Sequence, residues 1–231
     1  MGVIVLQLFA VPEGKSGPQV IDILTKRVTS LGGVLSGSFM VDCETYTSVA
    51  SLGATRSVHL LHNSETPASV FALLEAASGN KTVALVADNL FDLLMLKLSN
   101  FYQAKKQTKI ESRGPRFEAG DFLVKLGSVT MGPAFKGILV EVEYQVVKLG
   151  SVTMGPAFKG ILVEVEYQAC SLPAACWDLI REFMQGFLGG CVPSTPPQYI
   201  QNRFGDMLGP IDGINQYLEQ FNAFRKTTGI R

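Results

Sequence analysis

Val124 to Gln145 reads VKLGSVTMGPAFKGILVEVEYQ, and Val147 to Gln168 repeats it residue for residue, 23 positions later. Each copy reads as strand, turn, strand: Val124–Thr130, a Gly-Pro-centred turn over Met131–Gly137, and Ile138–Tyr144. Repeat architectures stack several diverged copies into a shared core. Two identical copies in an otherwise non-repeating chain instead read as a tandem duplication or a misjoined coding segment. The junction Tyr144-Gln145-Val146-Val147-Lys148-Leu149 contains no Gly, Pro, Asn or Asp. A selected hairpin normally carries such residues at its reversal. One copy is therefore expected to belong to the fold and the other to be surplus. The surplus contains two strands, so chain direction is restored after it. Downstream elements can keep their places while an extra hairpin is extruded or added to an edge.

Working outward, further strands are expected at Val3–Phe9, Val34–Thr45, Ser57–His62, Ser69–Ala76, Lys81–Ala87, Lys109–Arg113 and Arg116–Thr130. Ser16-x-x-Gln19 is a capping-box pattern opening a helix with Val20, Ile21, Leu24, Val28 and Leu31 on one stripe. Gly32-Gly33 ends that helix. Asp88 is placed to cap a second helix bearing Phe91, Leu94, Met95, Leu98 and Tyr102. A third opens at Ser171-Leu172-Pro173 and stops at Gly189-Gly190. Val192–Pro210 reads as loop, and a last helix carries Ile211, Ile214, Leu218 and Phe221. The expected architecture is one α+β domain over residues 1–231. It is an antiparallel β-barrel with a few flanking helices and one surplus duplicated hairpin.

Composition narrows the function. The 231 residues hold 20 basic and 20 acidic side chains, 47% are hydrophobic and mean hydropathy is +0.23. A core of real size is affordable at this length, and disorder is excluded by the high apolar and low charged content. The charge balance opposes a dedicated nucleic-acid binder, and zero net charge suits a chain that works against a partner surface. No run of eighteen apolar residues predicts a membrane span. Met1–Val11 reads as a strand rather than a signal peptide. Cys43, Cys170, Cys176 and Cys191 show no paired spacing and are expected as free, buried thiols. The sequon Asn80-Lys81-Thr82 is expected to be inert.

Candidate chemistry centres on paired carboxylates. Glu141 and Glu143 share one strand face, as do their copies Glu164 and Glu166 and the separate pair Asp42 and Glu44. Inside a closed barrel such pairs can hold Mg²⁺ or Mn²⁺. That arrangement resembles the triphosphate tunnel hydrolases, with Lys109, Arg113, Arg116 and Lys125 as candidate phosphate ligands. The family's Glu-x-Glu-x-Lys, however, ends here in Gln145 or Gln168. The competing reading is a solvated outer face behind a Val/Val/Tyr core stripe, and it is preferred. His59 and His62 are three apart on a strand, face opposite sides and are expected to be structural. Cys43 lies between two acidic residues, which would raise its thiol pKa. No nucleophile elbow, phosphate loop or dinucleotide fingerprint is present.

Several segments in order carry a resemblance. They are the MGV start, Glu13-Gly14-Lys15-Ser16, VDCETY at Val41–Tyr46, HNSE at His62–Glu65 and LLMLKL at Leu93–Leu98. KIESRG at Lys109–Gly114, DFLVKLGSVTMGP leading to KGILVEVEY, Trp177, Gln185–Gly189 and QYLEQFNAFRK at Gln216–Lys226 complete it. Together they resemble the Mediator complex subunit 20 family, also called TRF-proximal protein, over nearly the whole chain. The departure is the duplication, since the family pattern holds one such unit. Removing Val124 to Val146 leaves a family-like sequence of 208 residues. The resemblance implies a nuclear, non-enzymatic coactivator subunit of the Mediator head module, without cofactor. It implies a barrel distantly similar to RNA triphosphatase tunnels that pairs with Mediator subunit 18, with subunit 8 completing the submodule. RNA polymerase II machinery is then reached indirectly, with no direct nucleic-acid or membrane contact. It assigns no partner-binding residue.

Overall fold

Among the described residues the sheet is antiparallel throughout, nine-stranded and open. The computed structural model describes residues 2–75, 82–105, 108–143 and 146–227, and for Thr82, Thr227 and the described residues of 133–157 the backbone alone. The strands are β1 (Val3–Phe9), β2 (Val34–Ser48), β3 (Ser57–Asn63), β4 (Ser69–Glu75), β5 (Thr82–Asp88), β6 (Tyr102–Ala104), β7 (Ile110–Ala119), β8 (Phe122–Glu143) and β9 (Val146–Tyr167). The helices are α1 (Gly17–Ser30), α2 (Phe91–Lys97), α3 (Pro173–Leu188), α4 (Gln198–Asn202) and α5 (Pro210–Thr227). Strand order is β1-β9-β8-β7-β2-β3-β4-β5, with β6 pairing the end of β2.

Strand alternation sorts the core into two faces. Val3, Val5, Val124, Leu126, Val163 and Val165 point to one face, under α1 and α3. The α2 contact, through Met95 on Leu60, Val70 and Ala72, lies on that same side. Leu6, Val41, Cys43, Leu61, Leu73, Val129 and Leu162 point to the other face. There Ile214, Tyr217, Leu218 and Phe221 of α5 cover them.

The expected barrel does not close: among the described residues β1 pairs only with β9, and β5 only with β4. The helix α5 is the physical reason. It does not flank the outside but lies across the inner face, from Leu6 on β1 to Leu73 on β4. A helix about 10 Å across occupies the space into which the sheet edges would have to converge. It also caps one edge. Gln216 accepts the Leu6 N–H at 3.2 Å and donates to the Ile4 carbonyl at 2.9 Å, taking backbone groups that a neighbouring strand would use. Arg225 pins the helix end by donating to the Thr108 carbonyl at 2.9 Å.

Other differences from the sequence reading have local causes. The expected strand Arg116–Thr130 is two strands: β7 runs straight through Gly114-Pro115, and the chain reverses at Gly120-Asp121. Gly120 has φ +58, a conformation only glycine adopts freely. In α2, Asp88 does not cap the helix; its carboxylate accepts the Leu90 N–H in the preceding turn. Leu94 is exposed, and Tyr102 belongs to β6. The segment read as loop contains α4. Only Cys43 and Cys176 are buried; Cys170 is partly buried and Cys191 exposed. Among the described residues no helix is long and apolar enough to cross a membrane. The sequon Asn80-Lys81-Thr82 lies outside the residues described with side chains.

The duplication lies in the β8–β9 hairpin. Neither Gly-Pro segment turns the chain; both strands run through, with register shifts between Val129 and Ile138. Phe122–Met131 pairs outward with β7, and Ile161–Tyr167 pairs outward with β1. The first strand of copy one thus faces the second strand of copy two, as in Val124↔Val165. The inner halves pair with one another, out to Glu143↔Val146.

Candidate functional site

The register that places Lys125 opposite Glu164 builds a buried charge cluster on the α5 face. Lys125 donates to Glu164 Oε1 at 2.8 Å and also to Glu65, which sits after β3. The Tyr217 hydroxyl of α5 donates to Glu164 Oε2 at 2.6 Å. Glu166, two residues along the same face, accepts the Gly2 N–H at 2.9 Å. Arg116 closes the outer side of the cluster, donating to Glu65 at 3.0 Å. Phe39 lies beneath the ammonium, its ring centre 5.7 Å from Nζ. A recess of about 190 Å³ borders these groups.

The electrostatics are internally balanced. Burial pushes the Lys125 pKa down, but the Glu164 and Glu65 carboxylates outweigh it and hold the ammonium above its ordinary value. Burial, then the Glu164 charge, raises the Tyr217 phenol well above its own, so it stays a donor. Glu164 thus ties α5 to β8 and β9, and Glu166 ties the Gly2 backbone to the sheet.

Asp42 and Glu44 form a separate cluster on the opposite face, because Val41 and Cys43 between and beside them face α5. His62 lies between Asp42, at 2.7 Å, and Asp92 of α2, at 3.1 Å. Lys109 bridges Asp42 at 3.2 Å and Glu44 at 2.7 Å, and Tyr46 donates to Glu44 at 3.2 Å. The Asp42 hydrogen bond, working against burial, raises the His62 pKa to about 9. Burial raises the Asp42 carboxyl, but His62 and Lys109 overcome this and leave it below its usual value. His59 faces the other side, as expected, 3.0 Å from Thr45 Oγ1 and 3.3 Å from Glu75.

Glu164 and Glu166 face α5, whereas Asp42 and Glu44 point away from it, so the two pairs cannot share an ion. Glu141 and Glu143, the third expected pair, lie outside the residues described with side chains. The solvated-face reading needs correction, since Glu164 and Glu166 are buried with partners. Of the expected phosphate-binding cations, Lys109, Arg116 and Lys125 are spent in ion pairs with the chain's own carboxylates. Arg113 pairs more loosely with Glu111, at 3.6 Å. Cys43 has a raised pKa, but the main cause is burial rather than its acidic neighbours, and Arg225 opposes it. Glu65 and Tyr217 escaped the sequence reading. They lie 60 and 53 positions from their partners, and no spacing rule connects them.

The fold and the site thus define an antiparallel sheet with a helix across one face, whose charged groups pair with one another and which leaves apolar side chains exposed. The profile of a family described as the TATA-binding related factor (TRF) of subunit 20 of Mediator complex matches residues 1–147 and 145–222. The two stretches meet where the copies join. Mediator of RNA polymerase II transcription subunit 20 from Aedes aegypti is 52% identical, over 99% of this chain and 96% of its own length. The human protein of that name is 42% identical, over 98% of this chain and 95% of its own. Against the solved Schizosaccharomyces pombe Mediator head module the TM-score is 0.30 at 10% identity, covering 70% of this chain and 79% of that one. The chain belongs to the Mediator subunit 20 family.

Proposed function

We propose that this chain is a nuclear, non-enzymatic subunit of the Mediator coactivator, supporting regulated RNA polymerase II transcription through protein contacts. The observation that carries this is 52% identity to a Mediator subunit 20 across nearly the full length of both chains. The buried, mutually satisfied carboxylates and cations support it, since they leave the sheet a structural platform. In this reading the chain pairs with Mediator subunit 18, and subunit 8 completes the submodule within the head. The test is affinity purification of the tagged chain from nuclear extract. Recovery of subunits 18 and 8 in stoichiometric amounts is expected. A chain that separates from every Mediator subunit would overturn the proposal.

A further inference from the structure

The two edges of the sheet are treated differently. On β1, Gln216 occupies the outward backbone groups of Ile4 and Leu6. On β5, no described residue pairs with the outer edge. A strand edge left open is a template for another chain, and β5 is apolar on both faces. In register, Val83 and Leu85 lie opposite Leu74 and Ala72 and share their face with α2, while Val86 lies opposite Phe71 on the α5 face. All three are about half exposed. Next to them α2 buries Met95 but presents Leu93, Leu94 and Leu96, the last 66% exposed, flanked by Leu90 and Phe101. The span from Val83 to Phe101 thus holds a large share of the exposed large apolar side chains among the described residues. Surfaces of that kind mark interaction sites.

The patch's charges select its occupant. Lys97 is the single cation between Thr82 and Tyr102, whereas a face lying on lipid carries several Lys or Arg. Asp88, at the C-terminal end of β5, is exposed and has no ion-pair partner among the described residues. A second copy added antiparallel and centred on Leu85 would set Asp88 against Thr82, which offers no charge. A different protein can place a cation there.

We infer that the β5 edge and the outer side of α2 form the docking surface for another protein. That partner adds an apolar strand antiparallel to β5, with a Lys or Arg near the start of the strand opposite Asp88. Main-chain pairing supplies the affinity and the apolar side chains the fit. The inference rests on the reading above that Mediator subunit 18 is the partner, and it assigns that contact its place on this chain.

The test is a titration of purified, fluorescently labelled subunit 18 with the full chain and three variants: Val83→Lys with Leu85→Lys, Leu93→Lys with Leu96→Lys, and Asp88→Lys. Each is expected to weaken binding tenfold or more while the free chain still unfolds cooperatively, with Asp88→Lys losing only the turn contact to Leu90. The α2 pair guards against misfolding of the β5 pair, because those side chains already face solvent. Wild-type binding that all three variants match would place the contact elsewhere and overturn the inference, leaving the partner reading intact. No binding by the wild-type chain would overturn both. A free chain with twice the monomer mass, returned to monomer by the β5 pair, would give the face to a second copy and overturn the inference.

Discussion

Lys125 and Glu164 face each other across β8 and β9 at 2.8 Å, although one belongs to the first copy of the duplicated segment and the other to the second. The pairing holds because the first strand of copy one lies antiparallel to the second strand of copy two, with Val124 opposite Val165 and Leu126 opposite Val163. It also fixes the register. A slip of one residue would turn Lys125 and Glu164 into the apolar α1/α3 face and move Val124 and Val165 beneath α5.

Replacing Lys125 by Met should therefore cost about 3–5 kcal/mol of unfolding free energy, because it leaves Glu164 and Glu65 without their buried cation. Changing Glu164 to Gln in the same chain should recover a good part of the loss. Chemical denaturation of the two single variants and the double variant closes the cycle. Equal losses that simply add would show that the pair is not coupled.

The first five strands are readable because alternation is a local property, and the limits of β1 to β5 agree with the sequence reading to within a few residues. The reversal at Gly120-Asp121 was hidden because the alternation from Arg116 to Thr130 continues smoothly across it. Closure was misread for a non-local reason. Nothing in Pro210–Thr227 says that its apolar stripe covers the inner face, or that Gln216 caps β1 from 210 positions away. The acidic pairs were visible as pairs, but which face each occupies depends on neighbours distant in sequence. The Lys125–Glu65–Tyr217 grouping likewise emerges only once β3, β8 and α5 are brought together.

The Asp42–His62–Asp92 cluster predicts a pH profile. The His62 pKa is raised from 6.5 to about 9, so its contribution is fully present below pH 6.5. It is lost as pH rises through about 9. Asp42 is lowered, so its contribution is present above pH 4 and is lost as pH falls through its folded value. The thermal midpoint should decline between about pH 6.5 and 9, and His62→Gln should flatten that limb. A variant that keeps the full decline would assign it to other groups.

Geometry also predicts an absence of hydrolysis. The Glu164 and Glu166 carboxylates are held by Lys125, Tyr217 and the Gly2 N–H, and Asp42 and Glu44 are on the other face. Incubation with manganese and a nucleoside triphosphate should release phosphate at the buffer rate. Glu164→Gln should leave that rate unchanged while lowering the unfolding midpoint. Metal-dependent release abolished by Glu164→Gln would contradict the non-catalytic reading.

The extra segment itself can be removed. Because the repeat is exact, deleting Gly132 to Met154 yields the same 208-residue chain as deleting either copy, so asking which copy is surplus has no chemical content. What matters is which pairs remain. The deletion leaves Phe122–Met131 and Ile161–Tyr167 joined by Gly155-Pro156 and its neighbours, the residues that supply turn chemistry. Every outward pair to β7 and β1 survives, as does Lys125–Glu164. Loop-closure cost rises only slowly with length, so shortening the connection offers a small gain rather than a penalty. We propose that these 23 residues contribute nothing to folding. The shortened chain should unfold cooperatively, with a midpoint equal to or above that of the full chain. It should bind subunit 18 with unchanged affinity, read by the same titration. A lower midpoint or lost binding would show instead that the extended hairpin contributes to the fold or to the interface.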